Sequence, residues 1–136
     1  MKNGRKDDAG KPDYLSRLGW HKELLAMAER DKRQPGRDPG AYIHLAMSMV
    51  NEGLFRGGIR YGNTNFVNVC QERYAKALLR HLKAHIGGEM CDKDTGVEHM
   101  ALVATNAILM LASEACLNDG EAQRFGKMEA IDAPET

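Results

Sequence analysis

Between Met100 and Ala112 only Thr105 and Asn106 are polar. A helix that is apolar nearly all round needs neighbours on most of its sides, so this segment predicts a central, buried helix. It has a clear start signal: Thr95-Gly96-Val97-Glu98 fits the capping box, in which hydroxyl and carboxylate satisfy orphan amides reciprocally. It should end by Asn118-Asp119-Gly120.

The other segments supply its neighbours. Tyr74, Ala77, Leu78, His81, Leu82 and His85 form one stripe of a helix predicted over 72–86, stopped by Gly87-Gly88. Ile43, Ala46, Met47, Val50 and Leu54 mark one face of a helix over 41–55. Trp20 to Arg30 reads as a shorter first helix, and Asp31 to Gly40, with two Pro-Gly pairs, as a loop. Gly57-Gly58 and Tyr61-Gly62-Asn63 read as turns, and 63–68 as an ordered loop in which Phe66 and Val67 want burial. No segment alternates like a strand. The expectation is an all-α bundle of about four helices, with a flexible segment at 1–13, one helical domain over 14–118 and a flexible tail over 119–136. The third and fourth helices, joined by a short loop, should pack as antiparallel neighbours.

The chain has 136 residues, enough for one domain with its own core. Lys+Arg and Asp+Glu both number 19, so no basic excess exists to grip polymeric nucleic acid. Cys70, Cys91 and Cys116 are odd in number and form no CxxC pair, which reads as reduced thiols in a cytoplasmic protein. The charged start has no apolar region behind it, and no unbroken apolar run is long enough for a membrane span, so no membrane partner is expected.

Antiparallel packing would bring His81, near the end of one helix, to His99, at the start of the next. Glu89 and Asp92 lie in the loop between them. Asn106 follows His99 by seven residues, on roughly the same face and about 10 Å along the axis. Carboxylates suit Mg²⁺ or Mn²⁺, and imidazole suits Mn²⁺ or later metals. A cation there could clamp phosphates for transfer to water. Each residue also has a plainer reading: His81 as a core histidine, His99 as an interface residue, Glu89 as a solvated charge, Asp92 and Asp94 as helix-start acids. Asn106 needs a hydrogen-bonding partner in either case. Lys11, Arg60, Arg73, Lys76 and Arg80 could pair with phosphate or form a solvated basic face, and Tyr61 and Phe66 could stack on a base or simply pack.

Other motifs fail. Asp92-Lys93-Asp94-Thr95-Gly96 begins like a calcium loop, but its glycine is one place early and Val103 stands at the twelfth position. Gly120 to Lys127 has the wrong spacing for a P-loop. There is no His-Asp doublet and no recognisable Ser/His/Asp or Cys/His arrangement.

Several blocks together resemble the small phage-encoded dATP/dGTP diphosphohydrolase family, N-terminal domain type. They are Arg5-Lys6-Asp7-Asp8-Ala9-Gly10-Lys11-Pro12, Gly57 to Phe66, Tyr74 to Leu82, Gly88-Glu89 with Asp92, and Thr95 to His99 ending at Asn106-Ala107. The resemblance implies metal-dependent cleavage of a purine deoxynucleoside triphosphate to monophosphate and pyrophosphate. It implies Arg60, Tyr61 and Asn65 at a binding loop, and His81, Glu89, Asp92, His99 and Asn106 around metal or phosphates. Catalysis would rest on Glu89, Asp92 and His81, substrate charge on Lys11, Lys76 and Arg80, and the cation would be Mg²⁺ or Mn²⁺. A homo-oligomer is expected, as for other small helical pyrophosphatases. Two departures stand out: the family's frequent second histidine on the last helix is Leu102 here, and its loop tryptophan is Phe66. The Glu-x-x-Glu pair of MazG-type pyrophosphohydrolases is also missing. These leave open a non-catalytic module that binds nucleotide or a host protein.

Overall fold

The computed structural model describes residues 6–34 and 36–117. The predicted tail at 119–136, with its Gly120 to Lys127 stretch, lies outside them, as do the first five residues of the N-terminal segment. The described residues form four α-helices and no strand: α1 (His21–Arg30), α2 (Pro39–Tyr61), α3 (Gln71–Ile86) and α4 (His99–Leu117). Short 3-10 turns cover Leu15–Leu18 and Asn65–Asn68. The protein is all-α.

α1 and α3 lie within a residue of their predicted limits. α2 is longer than the spacing predicts. Asp38 caps it by accepting the Gly40 amide at 3.2 Å, and Pro39 opens it, a position where its missing N–H costs nothing. It then runs through Gly57-Gly58, where turns were expected, and stops at Gly62, whose φ of 90° few residues other than glycine adopt. The extension has its own anchors. Arg56 donates to the Thr95 carbonyl at 3.1 Å, and Arg60 pairs with Asp94 at 2.7 Å.

The start of α4 also differs. No capping box forms at Thr95. The Thr95 hydroxyl donates to Asp92 and accepts from the Val97 amide, and the helix begins at His99. A serine or threonine three residues after an aspartate closes an Asx-type turn as readily as it caps a helix, and here the turn wins. The turn's ends are pinned by an isolated bridge between Cys91 and Glu98, with Asp92 N–H to Val97 O at 2.8 Å and His99 N–H to Met90 O at 2.9 Å.

α3 and α4 pack antiparallel: His81 meets His99 at one end, and Gln71 donates to Glu114 at the other. α2 lies antiparallel on a second side of α4. There Gly53 is buried, and a Cβ added to it would come within 2.5 Å of Thr105 Oγ1. α1 packs on α3, where Arg30 donates to the carbonyl of Ile86, a residue only 2% exposed. Among the described residues the buried apolar side chains are Trp20, Ile86, Val97 and Ala101.

α4 is therefore not the enclosed helix that its composition predicts. Only 22% of its most apolar stretch is buried. Among the described residues α3, α2 and the turn over Asn65–Asn68 cover part of it, and Met100, Ile108 and Leu111 face solvent. At 19 residues, α4 is also long and apolar enough to pass as a membrane span by those measures, which the sequence reading missed because it looked for an unbroken apolar run. Phe66 is half-buried as expected, whereas Val67 is exposed. The three cysteines are free and exposed.

A candidate metal centre at the α3–α4 turn

The antiparallel pairing places the His81 and His99 rings 5.1 Å apart, with their Nδ1 atoms 2.9 Å from one another. The other nitrogen of His99, Nε2, lies 2.8 Å from Glu89 Oε2. With Glu89 ionised, Nε2 carries the proton and His99 Nδ1 keeps a lone pair aimed at His81. His81 then donates from its own Nδ1. Asp92 completes the group, because one carboxylate oxygen and one nitrogen from each imidazole all lie within 4.8 Å of one another. His99 is buried, while His81 and Asp92 are half-buried.

Burial alone would raise the Asp92 pKa. Hydrogen bonds from the Thr95 hydroxyl and amide, at 2.9 and 3.0 Å, outweigh burial with help from the two histidines, and hold the carboxyl below its ordinary 3.8. His81 is shifted down from 6.5, first by burial and then by His99 beside it; Asp92 opposes this, and Arg80 adds to it. Both shifts favour the forms that bind metal, an ionised carboxylate and a neutral imidazole.

The donor set fits a divalent ion. Three donor atoms within 4.8 Å of one another are close enough to share one ion. Two imidazoles and one carboxylate suit Mn²⁺ better than Mg²⁺, which prefers oxygen. Binding would require His81 to move its ring proton from Nδ1 to Nε2, whereas His99 already holds the needed tautomer through Glu89.

The depressed His81 pKa has a consequence for stability. As pH falls through 6.5, the unfolded chain takes up this proton before the folded chain does, so stability falls, and the loss continues down to the folded pKa. Thermal melts from pH 7.5 to 5.0 with a chelator present should show a steeper fall in Tm for wild type than for His81→Gln. Parallel curves would contradict the shift.

The structure brings three of the four predicted ligands to one point. Glu89 stands behind His99, where it orients the ring instead of reaching the cluster. Asn106 is buried, but its amide donates to the Leu102 carbonyl of its own helix at 2.8 Å. Arg80 is exposed beside His81, and Lys76 pairs with Glu72 at 2.9 Å. Arg60 bonds Asp94 in the turn that carries Asp92, and its guanidinium stands 5.5 Å from the centre of the exposed Tyr61 ring. Asn65 opens the 3-10 turn after α2, and Lys11 is exposed in the N-terminal segment. Sequence reasoning missed Thr95 as the residue that holds Asp92. The Asp-x-x-Thr spacing at 92–95 carried that signal, but Thr95 was read as a helix cap. It also missed Arg30, whose bond to the Ile86 carbonyl secures the end of α3 just before Glu89.

A family model described as dATP/dGTP diphosphohydrolase, N-terminal, matches residues 28–124, a span that contains the whole candidate centre but not Lys11. No curated protein and no solved structure matches the chain. With most of its length matched, the chain belongs to the dATP/dGTP diphosphohydrolase N-terminal domain family.

Proposed function

We propose that this protein is a metal-dependent nucleotide pyrophosphohydrolase. It cleaves purine deoxynucleoside triphosphates to monophosphate and pyrophosphate, and serves phage control of the nucleotide pool in the host cytoplasm. The observation that carries this reading is the convergence of His81, Asp92 and His99 within the matched span.

His81, Asp92 and His99 would hold a divalent ion, which would supply positive charge for phosphate oxygens and make a water molecule more acidic. The remaining work falls to the chain. Asp92 brings the negative charge that fixes the ion, and Thr95 keeps that carboxylate ionised and aimed. Glu89 holds the His99 tautomer. Arg80 and Lys76, on the same helix as His81, offset the polyphosphate charge, with Lys11 reaching in from the N-terminal segment. Arg60, Tyr61 and Asn65 form the side from which the nucleoside enters. Water adds across the anhydride between the α and β phosphates and releases pyrophosphate.

Full-length protein incubated with Mn²⁺ and each dNTP should release pyrophosphate from dATP or dGTP, and EDTA should stop the release. The absence of turnover with every nucleotide would remove the enzyme. One observation favours a second reading, a non-catalytic nucleotide-binding module. Leu102, at the place of the family's second histidine, packs toward α2 at Gly53 instead of serving the centre. A thermal shift with dGTP that survives EDTA, without hydrolysis, would select that reading.

A further inference from the structure

Among the described residues, α4 packs against α3, α2 and the 3-10 turn over Asn65–Asn68. His99 and Glu114 meet α3, and Thr105 meets α2 at Val50 and Gly53. Along one further face, Met100, Ala104, Ala107 and Leu111 recur at intervals of four, three and four, the spacing of a helix–helix seam. Leu111 is 66% exposed, and Ile108 widens the stripe. No charged residue occurs from Met100 to Ser113.

We propose that a second copy of this chain covers this face of α4, with the two α4 helices antiparallel about a two-fold axis. The stripe reads the same in both directions. An axis between Thr105 and Asn106 sets Met100 opposite the partner's Leu111 and Ala104 opposite the partner's Ala107. Large side chains then meet large ones at both ends, and small ones meet in the middle, where the helices approach most closely. This is the self-complementarity that an isologous interface requires. An uncharged face also meets its own copy without burying a charge, and offers a charged partner nothing to pair with.

Light scattering on the eluted full-length protein, from micromolar to about 100 µM loading, tests this. The expected mass is at least twice 15.1 kDa. Leu111→Glu should weaken association at least tenfold with unchanged helical circular dichroism. Leu25→Glu, an exposed position on α1 away from the stripe, should leave the mass unchanged. If Leu111→Glu loses helicity, Ala107→Glu puts the same charge at an exposed position in the middle of the seam. A wild-type monomer throughout the range would overturn the proposal, and so would folded stripe variants of unaltered mass. Flotation of wild-type protein with phosphatidylcholine–phosphatidylglycerol vesicles would overturn it too, by assigning the bare face to lipid.

Discussion

Asp92→Asn will weaken Mn²⁺ binding by at least about 100-fold, measured by calorimetry, and will abolish pyrophosphate release from dATP and dGTP. The substitution suits the question because it is nearly isosteric. An asparagine oxygen can still accept from the Thr95 hydroxyl and amide, so the turn over 92–97 should survive. What is lost is the negative charge that offsets a dication between two neutral imidazoles, together with one oxygen donor, which becomes an NH₂ group unable to hold a cation. Helical content should not change. Glu89→Gln makes a graded comparison. It removes the acceptor charge behind His99 but none of the three clustered donors, so its cost in affinity should lie between wild type and Asp92→Asn. If Asp92→Asn binds Mn²⁺ as wild type does, the ion is held elsewhere or not at all.

Gly53→Leu will destabilise the fold by about 3 kcal/mol, a fall in Tm of roughly 10–20 °C for a domain of this size. Gly53 lies at a close approach between α2 and α4. Even a methyl group there would meet Thr105 Oγ1 at 2.5 Å and Leu102 at 3.5 Å. Thr105 is β-branched and cannot readily turn aside, since its hydroxyl donates to the Ala101 carbonyl at 2.8 Å. Gly53→Ala combines two opposed effects, a gain of about 1 kcal/mol in helix propensity and the clash with Thr105. Adding Thr105→Ala to it should recover part of the lost stability. A Tm for Gly53→Leu within 2 °C of wild type would mean that the two helices are free to separate at this point.

The helices were legible because their patterns are local. The period of α3 and its glycine stop place it over nearly the right residues, and the short loop after it dictates antiparallel packing against α4. From that packing, the meeting of His81 and His99 follows. What was not legible depended on competition between local signals and distant partners. Gly57-Gly58 announces a turn, but contacts from Arg56 and Arg60 to the turn at 94–95 carry α2 past it. Thr95 announces a cap, but Asp92 takes its hydroxyl first. Glu89 and Asp92 look equivalent as loop acids. The pinned turn separates them, sending one to the back of an imidazole and the other into the cluster. The composition of α4 gives a demand for burial, but not the number of neighbours available within one chain.

The short bridge between Cys91 and Glu98 also bears on how an ion would be captured. Because folding itself fixes the path from Met90 to His99, the entropy of ordering that stretch is spent before any ion arrives. Affinity would then be governed mainly by stripping water from the ion and moving one ring proton on His81. The protein would present a socket, not a noose that tightens on its guest.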